Sequence, residues 1–129
     1  MKAKIVCYKL KMPIIPARIS LVIGSEMLKL FMERFHMQTD QFLLDMVHNP
    51  QALGGFLNLG GQDYVIILPD EWVHSTVYHE ALHAATRMWY DVGAELKVPE
   101  NDEVLTYTVG YIADFIEAIY LDKNKSKEA

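Results

Sequence analysis

A strand-like apolar run followed by a long uninterrupted helical pattern constrains the fold of this chain more than any other feature. Residues 64–68 read Tyr-Val-Ile-Ile-Leu and are followed by Pro69. A short continuous apolar run of this kind predicts a strand that is covered on both faces. Neither Gly nor Pro occurs between Glu71 and about Asp91, which predicts a long helix. Its predicted buried stripe consists of Val77, Ala81, Ala84 and Met88.

The rest of the chain predicts a small sheet and three further helices. Alternating and β-branched residues predict strands, and apolar residues at helical spacing predict helices. A hairpin through Gly60 and Gly61 is expected to join the last two strands. The predicted elements are strands at 3–12, 17–23, 56–59 and 63–68, and helices at 26–36 with Ser25 as N-cap, 40–47 with Thr39 as N-cap, 71–91 and 102–122.

These elements predict one α+β domain over residues 1–122, followed by a polar, frayed tail at 123–129. A small, mostly antiparallel sheet is expected to pack against the helices at 71–91 and 102–122. The 129 residues are 51% hydrophobic and 22% charged, which is typical of a single globular domain.

The net charge and the hydropathy of the chain argue against two classes of function, nucleic-acid binding and membrane insertion. The 12 Lys and Arg against 17 Asp and Glu give a net charge of -5, the wrong sign for a protein that neutralises nucleic-acid phosphates. No run of about 18 consecutive apolar residues occurs, so we expect no membrane span. The N-terminus also lacks the pattern of a signal peptide. The expectation is a cytoplasmic protein that binds neither nucleic acid nor membrane.

The predicted long helix contains the pattern His-Glu-x-x-His at residues 79–83. Residues four apart on a helix differ by about 40° around the axis and about 6 Å along it, so the imidazoles of His79 and His83 can meet one zinc ion. Glu80 lies about 100° from His79, beside the metal. Its carboxylate can therefore accept a proton from a zinc-bound water and deliver it to a leaving amine.

A zinc site needs at least a third protein ligand. Cys7 is the single cysteine, so the ligand set has to come from His and carboxylates. Glu103, in the first turn of the last predicted helix, is the best candidate, because a loop of about ten residues is long enough to return that helix beside the metal. Asp102 and Glu100 are the alternatives.

His79, Glu80, His83 and Glu103 resemble the pattern of the gluzincin zinc metalloproteases, in which a Glu on a following helix completes the site. The resemblance spans about residues 64–114 and implies ligand, general base, ligand and ligand for these four residues. Tyr107 stands where the longer family pattern places an Asp that holds the first zinc histidine. Full-size members also add a C-terminal subdomain, so the chain looks like a minimal single-domain gluzincin of the kind found in microbes and phages.

The expected function is zinc-dependent hydrolysis of peptide bonds, with an extended peptide or protein substrate held at a sheet edge near residues 56–68. Either Tyr107 or Asp114 can hold a zinc histidine from the last helix. Three tyrosines are candidates for stabilising the oxyanion, and the sequence does not choose among them: Tyr78, Tyr90 and Tyr111.

The alternative function is a non-catalytic protein that zinc stabilises, such as a phage-encoded binding or inhibitory module on the same fold. Coordination number distinguishes the two, because a catalytic zinc keeps an open position while a structural zinc is closed by a fourth protein ligand. The sequence does not indicate an oligomeric state.

Overall fold

A computed structural model of the chain describes residues 8–13, 15–49, 54–93 and 102–128, with side chains in the last range for 103–122. It confirms the predicted α+β class. In chain order the elements are β1 Tyr8–Lys11, β2 Arg18–Ile23, α1 Ser25–Arg34, α2 Gln41–His48, β3 Gly55–Gly60, β4 Asp63–Leu68, α3 His74–Asp91 and α4 Asp102–Glu128. The part of the first predicted strand at 3–7 lies outside the described residues.

The sheet is mixed, in the order β1-β2-β4-β3. The outer pairs β1/β2 and β3/β4 are antiparallel, whereas the central pair β2/β4 is parallel, in register from Arg18↔Asp63 to Ile23↔Leu68. The parallel pair is the departure from the predicted mostly antiparallel sheet. It arises because α1, α2 and β3 intervene between β2 and β4, so the chain crosses over before β4 pairs.

Helices cover both faces of the sheet. Tyr64, Ile66 and Leu68 pack in a core with α3 and α4, as expected. Val65 and Ile67 point the other way and pack with α1 and α2. This three-layer arrangement explains why residues 64–68 form a continuous apolar run, since alternate side chains enter two different cores.

The two predicted helix caps each lie one residue away from the observed ones. Helix α1 begins at Ser25 itself, after Gly24 with φ 90°, so the prediction of Ser25 as N-cap is wrong. The positive φ of residue 24 favours glycine there, and a Cβ would also lie 2.5 Å from Asp70 Oδ1. In α2 the Asp40 carboxylate accepts the Leu43 amide at 3.1 Å, so Asp40 is the cap in place of the predicted Thr39.

The two long helices also differ from their predicted bounds. Helix α3 begins at His74, three residues later than predicted, and Trp72 before it packs edge-on against Tyr120 of α4. The α4 backbone stays helical to Glu128, beyond the predicted end at 122.

One helix among the described residues, at 103–122 in α4, is long and apolar enough by length and composition to cross a membrane. Its interior face nevertheless packs into the core, and its outer face carries exposed acidic side chains. The core residues are Ile112, Ala113, Ile116, Ile119 and Tyr120. A core helix passes the same test of length and hydropathy, so α4 is compatible with a soluble protein.

Candidate metal centre

The two histidines of the motif converge on the exposed side of α3. Their Nε2 atoms lie 3.1 Å apart, and the His79 side chain is 66% exposed. Two nitrogen ligands at about 2.0–2.1 Å from a tetrahedral zinc are about 3.3–3.4 Å apart. His79 and His83 are therefore spaced closely enough to occupy two corners of one zinc site.

Glu80 lies between the histidines in sequence but turns inward. The residue is only 6% exposed, and its Oε1 atom is 3.9 Å from His79 Nε2. Burial raises the pKa of the Glu80 carboxyl above its ordinary value of 4.5, while the neighbouring imidazoles oppose this rise. A buried carboxyl with a raised pKa beside a histidine pair is the environment of a general base.

The backbone before β3 closes one side of the space around Glu80. A Cβ built on Gly54 would lie 3.1 Å from Thr76 Cγ2 and 3.6 Å from Glu80 Oε1. The chain therefore passes within van der Waals distance of the carboxylate, and a side chain at residue 54 would crowd the Thr76 methyl. The sequence showed this glycine only as part of a turn signal.

Strand β3 continues from Gly54 along the same side of α3. The Phe56 ring stacks on the His83 imidazole, with centroids 6.5 Å apart and an interplanar angle of 14°. In the described sheet β3 is an edge strand that pairs with β4 alone. Among the described residues, the outer edge of the sheet therefore belongs to the strand whose Phe56 side chain contacts His83. The predicted peptide-binding edge stays a prediction.

A carboxylate at the end of α3 joins β3 and β4 to this helix. Asp91 Oδ2 accepts hydrogen bonds from the Tyr64 hydroxyl at 2.5 Å and from Asn58 Nδ2 at 3.3 Å, and Arg87 Nε donates to Oδ1 at 3.0 Å. Sequence reasoning missed this cluster. Only the i,i+4 pair of Arg87 and Asp91 leaves a local signal, because the other partners are 27 and 33 residues from Asp91.

The structure does not bring Glu103 to the histidine pair. Helix α4 runs antiparallel to α3, and Trp89 Nε1 donates to Thr108 Oγ1 at 2.8 Å. Trp89 lies six residues beyond His83 and Thr108 five residues beyond Glu103. In an antiparallel pair these offsets add, so His83 and Glu103 are about 16 Å apart along the helices. The described residues contain no group of three or more His, Cys, Asp or Glu side chains that could hold a metal.

Glu103 as third ligand therefore stays a prediction. Its two alternatives, Glu100 and the Asp102 side chain, lie outside the described residues. The histidine pair and Glu80 fit a zinc site, with the remaining coordination to be supplied by other groups.

The other candidate residues lie around the two helices. Tyr107 is 76% exposed and Asp114 is exposed, and among the described residues neither hydrogen-bonds to a motif imidazole. The tyrosines proposed for the oxyanion are all exposed, at 50% for Tyr78, 70% for Tyr90 and 43% for Tyr111. Tyr78 directly precedes His79, so it is the one placed beside the motif by the chain itself.

An apolar cavity of about 240 Å³ lies between the loop after β1 and the two long helices. Two of its polar groups are paired, because Thr108 Oγ1 accepts from Trp89 Nε1 and donates to the Val104 carbonyl. The cavity is lined by Met12, Pro13, Ile15, Trp89, Tyr107, Thr108 and Tyr111. None of the motif residues contributes to it.

Comparison of the chain with protein-family models, with curated proteins and with solved structures gave no match.

Proposed function

We propose that this protein is a zinc-dependent peptidase whose metal is held by His79 and His83. One observation carries the proposal, namely the convergence of the two Nε2 atoms at 3.1 Å beside the buried Glu80 carboxylate. The His-Glu-x-x-His pattern supplies two metal ligands one helical turn apart and a general base next to the first of them. Glu103 is the proposed third ligand on the strength of the sequence resemblance.

Each motif residue has a distinct part in the proposed reaction. His79 and His83 would hold the metal through their Nε2 atoms. Zinc in such a site polarises a carbonyl and lowers the pKa of water into the neutral range. Glu80 takes the proton of the attacking water and passes it to the leaving amine, and the raised pKa of this carboxyl suits it to both transfers.

The free edge of β3 is the proposed place for the substrate backbone. An extended peptide that adds to this edge gains main-chain hydrogen bonds whatever its sequence. Phe56, whose ring stacks on His83, lies on this strand, so an added peptide would pass close to the metal ligands. On α3 itself, Tyr78 and Leu82 directly precede the two histidines and are about half exposed, which provides apolar surface for substrate side chains.

The direct test is cleavage of a diverse peptide library by protein of known zinc content, read by mass spectrometry. Zinc-loaded protein is expected to cleave, and protein treated with a chelator is not, until zinc is restored. If zinc-loaded protein cleaves nothing and zinc has four protein ligands, the peptidase proposal fails. The same result would favour the non-catalytic, zinc-stabilised protein.

A further inference from the structure

We propose that Asp91 is a positioning residue for the metal centre, acting through Tyr64 and Phe56 on the His83 imidazole. The inference rests on the proposed function only where it treats His83 as a metal ligand. Its structural part concerns the orientation of the His83 ring and holds with or without metal.

The first step is the fixing of Tyr64. This side chain is 1% exposed, and its hydroxyl donates to Asp91 Oδ2 at 2.5 Å. Arg87 occupies the other carboxylate oxygen at 3.0 Å, so the acceptor itself is held on α3. Charge-assisted hydrogen bonds are the stronger class. The far end of the Tyr64 ring is thus tied to the same helix that carries the motif.

The second step is a stack of three rings. Phe56 packs on Tyr64 with centroids 5.8 Å apart at 16°, and on His83 with centroids 6.5 Å apart at 14°. Phe56 is therefore in contact with both the anchored tyrosine and the metal-binding imidazole. A rotation of the Tyr64 ring would remove the surface against which Phe56 is packed.

The third step concerns what otherwise orients His83. Histidines that bind metal usually donate their second ring nitrogen to a carboxylate, a carbonyl or water, which fixes the ring. Among the described residues, the hydrogen-bond partner of the His83 imidazole is His79 Nε2. An exposed imidazole with so few restraints samples several rotamers, and ring packing against Phe56 selects one. The stack therefore takes the place of a hydrogen-bonded partner.

The Asn58 amide gives the arrangement a second attachment. It donates to Asp91 Oδ2 at 3.3 Å, and it lies on β3 two residues after Phe56. The same carboxylate thus anchors both the strand that carries Phe56 and the tyrosine on which Phe56 packs. Asp91 lies eight residues from His83, about two turns along α3, so it reaches the imidazole only through these partners.

The experiment measures the His83 ring directly in metal-free protein by NMR, together with zinc affinity by calorimetry. Asp91→Asn and Tyr64→Phe are expected to reduce the ring-current shift that Phe56 imposes on the His83 ring protons. Both variants are expected to lower zinc affinity about 10- to 100-fold, as for loss of a partner that orients a ligand. Asp63→Asn is the matched control, because Asp63 begins β4 next to Tyr64 but its carboxylate pairs with Arg18 of β2 at 3.0 Å.

A double-variant comparison separates positioning from general stability. In the Phe56→Leu background the intermediate ring is gone, so adding Asp91→Asn is expected to change neither the His83 shifts nor zinc affinity further. Asp91→Asn protein that is less stable but keeps wild-type His83 shifts and zinc affinity would overturn the proposal. If Asp91→Asn does not fold, Tyr64→Phe takes its place in both measurements, because this variant removes only one hydroxyl group.

Failure of this inference is distinguishable from failure of the proposed function. If wild-type protein binds no zinc, the peptidase proposal fails, while the His83 ring shifts still test the role of Asp91. If zinc binds and Asp91→Asn leaves ring shifts and affinity unchanged, only the positioning role fails.

Discussion

His79 and His83 hold their Nε2 atoms 3.1 Å apart on the exposed side of α3, one helical turn from each other. Without metal, two neutral imidazoles at this separation share at most one hydrogen bond, since one nitrogen has to donate and the other accept. A divalent metal uses both lone pairs at once. The geometry of the pair therefore suits one shared metal ion as well as it suits a single hydrogen bond.

The first prediction is one zinc ion per chain, held by these histidines. His79→Ala and His83→Ala are each expected to lose the metal, because each variant removes one of the proposed ligands. At a free zinc concentration 100 times Kd, wild-type protein should gain about 2.7 kcal/mol of stability that neither variant gains. Elemental analysis and thermal unfolding measure this. His48→Ala, which removes an exposed histidine at the end of α2, should behave as wild type.

The second prediction concerns Glu103. To act as the third ligand, Glu103 has to lie closer to His83 than the observed packing of α4 on α3 allows. The first turns of α4 would therefore shift when zinc binds. Glu103→Ala is then expected to weaken zinc binding strongly, while Asp102→Ala and Glu100→Ala have small effects. Titration calorimetry on the three variants measures this. Wild-type affinity in Glu103→Ala would show that α4 keeps its register and that the ligand lies elsewhere.

Local sequence patterns predicted the elements well and their ends less well. The strand at 63–68, the glycine hairpin and the long motif helix all have strong periodicity or turn signals, and all are present. The caps differ because neighbouring residues compete for them. Asp40 displaces Thr39 because its carboxylate reaches the Leu43 amide. Gly24 precedes α1 because the positive φ of residue 24 favours glycine.

The arrangement of the elements was much less predictable, because it depends on contacts between distant residues. No local sequence pattern indicates that β2 and β4 pair in parallel, or that α1 and α2 cover the second face of the sheet. The motif residues could be found because they are four apart on one helix. Phe56, Tyr64 and Asp91 could not, since their contact requires β3 to lie along α3.

The third prediction tests the packing of α4 independently of metal. A Cβ at Gly110 meets nothing within 4 Å, so Gly110→Ala should stabilise the protein by about 0.5–1 kcal/mol through helix propensity. Gly54→Ala should instead destabilise it, because its Cβ would crowd the Thr76 methyl at 3.1 Å. Urea unfolding compares the two. A destabilised Gly110→Ala would mean that α4 packs closely against another element there.

The fourth prediction is a pH dependence of stability. The hydrogen bond from Tyr64 is the largest cause that holds the pKa of Asp91 below its ordinary value of 3.8. A carboxylate with a lowered pKa in the folded state contributes stability that is fully present above the unfolded pKa and is lost as pH falls through the folded one.

Asp91→Asn should therefore be less stable than wild type at neutral pH, and the difference should shrink in acid below about pH 4. Unfolding by urea at a series of pH values measures it, with Asp63→Asn as control. A difference that is constant down to strongly acidic pH would contradict the assignment of this stability to the Asp91 carboxylate.

The central claim, catalysis of peptide hydrolysis at the motif, turns on Glu80, which the chemistry needs and metal binding does not. Glu80→Gln is nearly isosteric, so it should fold and keep zinc. Its rate of peptide cleavage should be lower by about 10²–10⁴-fold, as for loss of a positioned general base. The decisive measurement is the cleavage rate of wild-type and Glu80→Gln proteins with equal zinc content on the same peptide library. A fall in that range supports the account. Equal rates contradict it, and so does absence of cleavage by zinc-loaded protein whose zinc has four protein ligands.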